Sequence, residues 1–239
     1  MLCNPIGAEA LQAHRLYRVL AEQLEQAGFT VLRFDYAGTG DSAGGPEAAT
    51  ISGWTNDVAT AAGELARTAP GTRLVIVGLR LGATLAALAS ARSLVRPRQL
   101  VLWDPVIDGL GYLRDLARVH REFMKEEMRP LEWQDRLEVD ADGIPTESIG
   151  MPITAELAGE LRHVDLTREL PIADHIAVIC TRSNEETTRF RNAVGTRTGH
   201  KWIEAADSEN WNCDSALNAA TVPMGIIREI VNSIQETNP

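Results

Sequence analysis

Three features of this 239-residue chain predict an α/β fold with a mostly parallel sheet flanked by helices. Short apolar runs rich in β-branched residues alternate with longer segments of helical periodicity, the pattern of βαβ units covered on both faces. One run, Leu74-Val75-Ile76-Val77-Gly78, passes through Leu79-Arg80-Leu81-Gly82 directly into an alanine-rich helix. The strand signal then lapses between Ile107 and Pro171, too long a gap for one crossover, before it resumes.

Each element follows in order. Met1 to Asn4 reads as the end of a strand entering the turn Asn4-Pro5-Ile6-Gly7. Glu9 to Ala27 carries Leu11, Leu16, Val19, Leu20 and Leu24 at helical spacing, with Gly28 as its stop. Phe29 to Asp35 is a strand, and the turn residues of Tyr36 to Gly45 end it. A helix over Thr50–Thr68, a strand over Arg73–Gly78 and a helix from Leu81 to about Leu94 come next. Gln99–Trp103 is a buried strand stopped by Asp104-Pro105. The helical and irregular stretch at about 107–171 reads as a lid inserted over the C-terminal edge of the sheet, where ligands bind in such folds. His175–Cys180, a helix over Glu185–Gly195, a strand over His200–Ala206 and an amphipathic helix over Met224–Gln235 complete a single domain, 1–239.

Composition narrows the function classes. A formal net charge of −10 argues against nucleic acid and against an anionic membrane surface, both of which require clustered Lys and Arg. No run is long and apolar enough for a membrane span, and the N-terminus lacks a basic segment followed by an apolar core. Cys3, Cys180 and Cys213 are odd in number and lack CxxC spacing, so free thiols in a reducing cytoplasm are expected. The histidines show no metal-ligand spacing, and no cofactor or metal is expected.

The frame Gly78-x-x-x-Gly82 is that of a nucleophile elbow, in which glycines let strand and helix pack closely around a strained apex. The apex residue is Arg80, a permanent cation that cannot attack a carbonyl. Together with Asp35-Tyr36-Ala37-Gly38-Thr39-Gly40-Asp41-Ser42 and Leu102-Trp103-Asp104-Pro105, this frame resembles the α/β-hydrolase fold. The likeness is to the serine-aminopeptidase-like and exosortase-A-system-associated hydrolases, one group of which also has Arg in the elbow. The resemblance implies two further N-terminal strands. Here either the natural start is short or that hairpin is missing, which leaves 29–35 as a sheet edge for a second subunit to cover in a homodimer.

The resemblance also locates the stations of a Ser-His-Asp triad. The nucleophile station is Arg80. The acid station falls at Thr181 to Glu186, with Asn184 near the expected position, and the histidine station falls in Asp207 to Asp214, which has no histidine. The oxyanion donors would be the Leu81 N–H and, because Pro5 has none, Ile6 or the Asn4 side chain. Arg80 reads either as an anion clamp or as a plug paired with nearby Asp104 or with an acidic group in the loops. The sequence therefore predicts a non-hydrolytic protein, a pseudo-hydrolase, holding an anionic or acyl small molecule or a peptide through Arg80, Leu81, Asn4, Ile6 and Asp104. The alternatives are an isomerase, epimerase, cyclase or lyase of a biosynthetic pathway that uses Arg80, Asp104, Glu209 or His14, and an esterase or thioesterase with relocated residues.

Overall fold

The computed structural model describes residues 1–127, 138–195, 199–205 and 222–238. Among the described residues five strands form one parallel sheet: β1 (Leu2–Cys3), β2 (Val75–Leu79), β3 (Gln99–Trp103), β6 (His175–Cys180) and β7 (His200–Glu204), adjacent in that order. The register pairs Leu2 with Val77, Val77 with Val101 and Val101 with Ala177. Because side chains alternate across a strand, neighbouring residues feed opposite cores. Ile76, Leu100, Leu102, Ile176 and Val178 pack with α2 (Ile51–Thr68) and α3 (Leu81–Ala91) on one face. Val77, Val101, Trp103 and Ile179 pack with α1 (Gly7–Gln26) and the C-terminal helix α7 (Met224–Thr237) on the other.

Local chemistry sets the helix starts. The Thr50 side chain accepts the Gly53 N–H at 3.0 Å and begins α2. Asn184 forms a reciprocal capping box with Thr187 at the start of α6 (Glu185–Val194). Between β3 and β6 lie α4 (Gly109–Glu127), a hairpin of β4 (Glu147–Ser148) and β5 (Met151–Pro152), and α5 (Ala155–Leu161). Glu160 of α5 accepts the Ser52 N–H at 2.7 Å, tying this stretch to the start of α2.

The segment 29–35 differs from its expected strand. It meets the sheet at one isolated bridge, Leu2 with Arg33, and one bond from Leu2 N–H to the Leu32 carbonyl. Its partner β1 is only two residues long, since the chain turns at Asn4 and Pro5 has no N–H to extend a ladder. Among the described residues no helix is long and apolar enough to cross a membrane. Cys3 and Cys180 are buried free thiols, both pushed up to about 12 chiefly by burial.

Candidate functional site

The elbow forms as its sequence demands. A side chain at Gly78 would place its Cβ 2.4 Å from Ala83 Cα, and one at Gly82 would lie 2.3 Å from the carbonyl oxygens of Cys3 and Asn4. Only glycine lets α3 pack this closely on β1 and β2. Between them Arg80 adopts φ 54° and ψ −125°, a left-handed conformation that costs a non-glycine residue roughly 1–3 kcal/mol. The Arg80 N–H donates to the Trp103 carbonyl at 2.9 Å, and its own carbonyl accepts from Ala83 and Thr84. The Leu81 N–H is one of those at the start of α3 that the helix itself cannot satisfy.

The Arg80 guanidinium is held from two sides. Its Nε donates to Glu9 Oε1 at 2.9 Å, and one terminal nitrogen donates to the Asp104 carbonyl at 3.3 Å. Glu9, on the first turn of α1, is 5 % exposed, and its second oxygen accepts from the Tyr112 hydroxyl of α4 at 3.0 Å. The guanidinium carbon also lies 5.6 Å from the centre of the Tyr112 ring, within reach of a cation–π contact. Burial works against the charge on Arg80, but the Glu9 carboxylate, with Tyr112 and Asp104 beside it, outweighs burial and keeps the group protonated.

Asp104 follows β3 with φ 42°, a second strained residue beside the first. Its carboxylate accepts from the Thr181 N–H at 2.8 Å and the Thr181 hydroxyl at 2.7 Å. Burial nevertheless holds its pKa above the ordinary aspartate value, against the lowering effects of Thr181 and the Arg80 charge. Arg80, Asp104, Tyr112, Thr181 and Arg182 line a cleft of about 220 Å³ at the C-terminal ends of the strands. That is the edge at which open α/β sheets bind ligands. A larger hollow of about 380 Å³ lies beside Met1, Phe29, Val31 and Leu74, and among the described residues no carboxylate or histidine lines it.

The structure brings some of the predicted residues together and not others. Arg80 and Asp104 share the cleft. Leu81 and Ile6 are buried and are not among the residues that line it, and the Asn4 amide donates to the Phe34 carbonyl at 2.9 Å. His14 is exposed on α1. Glu209 and the whole histidine station lie outside the described residues. At the acid station, Asn184 is occupied in capping α6. The acidic rim is likewise structural in part: Asp108 accepts the Gly111 N–H at 2.8 Å, and burial together with Asp108 raises Glu186. Among the described residues no group of three His, Cys, Asp or Glu could hold a metal ion.

Sequence reasoning missed Glu9 as Arg80's partner. In sequence it is an acidic residue in the first turn of a helix, a position the helix dipole explains without further role. Tyr112 stands in the inserted stretch, where its sequence context fits either the lining of an acyl or peptide pocket or burial against the sheet, and gives no sign of a hydroxyl bound to Glu9.

Residues 12–141 match the model of the family described as serine aminopeptidase, S33. No curated protein sequence matches the chain. In fold it is similar to an esterase of Pyrococcus furiosus, with a TM-score of 0.65 and 13 % identity over 100 % of this chain and 81 % of that one. An esterase of Thermogutta terrifontis, determined with malate bound, gives a TM-score of 0.60 and 21 % identity, covering 94 % of this chain and 86 % of the other. A carboxylesterase of Nitrososphaera gargenis gives 0.62 and 13 %, covering 99 % and 89 %. These findings correct the expectation of a non-hydrolytic binding protein. The family match points to a hydrolase, the similar structures share the fold, and the alternatives are no better supported. The expectation rested on the three triad stations, the apex Arg80 among them, and the histidine station lies outside the described residues.

Proposed function

We propose that this chain, which belongs to the serine aminopeptidase S33 family, is a hydrolase of carboxylic esters or related acyl bonds that works without a nucleophilic serine at its elbow. The observation that carries this reading is the shared cleft of Arg80 and Asp104. A cation at the apex is suited to the negative charge that develops on a carbonyl oxygen, and the Leu81 N–H beside it is suited to the same task. Asp104 is suited to activate water. Each of its oxygens keeps a lone pair beyond the bond from Thr181, and burial makes it a stronger base than an ordinary aspartate.

The reaction then runs in two proton-balanced steps. Asp104 takes a proton from water as the water oxygen bonds to the acyl carbon, and the charge gathers on the former carbonyl oxygen near Arg80. The acyl–oxygen bond breaks, the leaving alkoxide takes the proton from Asp104, and the product acid ionises to solvent. The stretch 107–171 would act as a lid that shapes the acyl site, taking a small-molecule or peptide ligand. The sparsely bridged edge at 29–35 would receive a second copy of the chain, which light scattering tests directly. The buried free thiols support a reducing, cytoplasmic compartment.

The test uses p-nitrophenyl acetate and butyrate with the wild-type chain, Asp104→Asn and Arg80→Gln. Hydrolysis that falls about 100-fold in each variant supports the reading, the scale of losing one oxyanion donor or a positioned base. Intact mass should be unchanged after a fluorophosphonate probe. No hydrolysis by the wild type, or covalent labelling at a serine, overturns it.

A further inference from the structure

We infer that Glu9 is a positioning residue for Arg80, with the Tyr112 hydroxyl fixing Glu9 in turn; the inference rests on the hydrolase reading above. An arginine side chain is long and rotamer-rich, and an electrophile must be aimed before the reaction. Three elements far apart in sequence meet on this one guanidinium. The elbow supplies Arg80, α1 supplies Glu9, and α4 supplies Tyr112.

Both oxygens of the Glu9 carboxylate are committed, one to Arg80 Nε at 2.9 Å and one to the Tyr112 hydroxyl at 3.0 Å. The bond to Nε rather than to a terminal nitrogen is the informative detail. It holds the guanidinium by its inner edge and leaves the two terminal nitrogens at the outer end. One of these reaches the Asp104 carbonyl at 3.3 Å, on the cleft side. Arg80 has five N–H donors, and the Glu9 and Asp104 contacts use two of them, so donors remain for a substrate oxygen. Apolar residues could fill the same space without the desolvation cost of a buried ion pair. Charge neutralisation alone does not explain why Glu9 is itself clamped by a tyrosine from a separate helix.

The experiment compares Glu9→Gln and Tyr112→Phe, both close in shape to the original side chains, with Arg80→Gln and the wild type. Steady-state ester hydrolysis, thermal unfolding and binding of butyl methylphosphonate, a charged tetrahedral mimic, are measured for each. The expected result is a fall in kcat of about tenfold in Tyr112→Phe, the scale of one hydrogen bond. In Glu9→Gln it is about 100-fold, the scale of a misplaced reacting group. KM stays within about twofold, because ground-state binding is not what the pair aims. Phosphonate binding weakens in both variants, while binding of neutral N-butylacetamide is unchanged.

If the wild type hydrolyses esters and Arg80→Gln loses activity, but Glu9→Gln and Tyr112→Phe keep wild-type kcat, the positioning role is overturned and the hydrolase reading stands. A change in unfolding temperature with no change in kcat overturns the role in the same way. If the wild type hydrolyses nothing, the reading fails and the phosphonate decides the inference alone. Weaker binding in both variants upholds it. Equal binding, or none by the wild type, overturns it.

Discussion

Arg80 and Glu9 lie 71 positions apart in sequence, yet they form an ion pair of 2.9 Å in which the arginine side chain is 18 % and the glutamate 6 % exposed. Breaking such a pair from one side leaves the other charge buried. Glu9→Ala should therefore cost about 3 kcal/mol of unfolding free energy, the lower end for a buried pair because Arg80 borders a cleft. The double replacement Glu9→Leu with Arg80→Met should recover most of that loss, since two apolar groups bury no charge. Urea unfolding of the wild type and the two variants checks this. A single variant as stable as the wild type would show that water already solvates the pair.

Asp104 sets the acid side of the proposed reaction. Burial raises its pKa, so a group titrating above the ordinary aspartate value should govern the acidic limb of kcat/KM. Thr181→Val removes the hydroxyl that donates to the carboxylate and should move that limb further towards neutral pH, because a bond to the ionised form has been lost. The sign for stability is the reverse of that for activity. A raised folded pKa gives a contribution fully present below the unfolded value and lost as pH rises through the folded one. At neutral pH the ionised carboxylate is a burden, so Asp104→Asn should lose activity while gaining stability. A variant that loses both would mean that the aspartate is structural.

The fold was legible because its signals are local and repeated. Gln99–Trp103 and His175–Cys180 fall where their short apolar runs predict, and the elbow glycines mark the strand-to-helix turn. The edge at 29–35 pairs less than its sequence suggests, because strand propensity carries no information about the length of the neighbouring strand. The site was legible only at its apex. Asp104 was expected as a carboxylate partner for Arg80, but its carboxylate is taken by Thr181 and it offers its carbonyl instead. Glu9 and Tyr112 converge on Arg80 from α1 and α4, a meeting of distant segments that no local pattern encodes. His120 shows no metal-ligand spacing in the sequence, and nothing there marks it as the buried residue, 2 % exposed, that it is in the fold.

The two glycine environments at the elbow and in α2 give opposite expectations for the same substitution. Gly82→Ala drives a methyl against two carbonyl oxygens of the β1 turn, and neither can move without shifting the sheet. It should cost about 3 kcal/mol, the upper end for overpacking. Gly63 is exposed in α2 with nothing near its missing Cβ, so Gly63→Ala should add roughly 0.5–1 kcal/mol. Denaturant midpoints for the pair test whether close approach or chain entropy dominates at each position. Equal tolerance at the two sites would contradict the packing described at the elbow.

The hairpin of β4 and β5 turns at Ile149, which has φ 46°, a conformation that a β-branched residue rarely adopts. The turn is held because the Ile149 N–H donates to His120 Nδ1 at 3.1 Å, and the Ser148 hydroxyl donates to the Leu116 carbonyl at 3.1 Å. His120 must be neutral at Nδ1 to accept. Burial lowers its pKa, Glu147 works against that effect, and Arg121 adds to it. For a depressed folded pKa the contribution is fully present above the unfolded value, which is about 6.5 for histidine, and is lost as pH falls through the folded one. Stability should therefore decline on acidification from neutral pH. His120→Leu removes the acceptor at all pH values and should cost about 1–3 kcal/mol at neutral pH while flattening the pH dependence. Ile149→Gly relieves the left-handed strain and should return about 1–2 kcal/mol, with the pH dependence intact because His120 remains. Unfolding curves for both variants across this range separate the two effects. A pH dependence unchanged in His120→Leu would assign the acid sensitivity to another group.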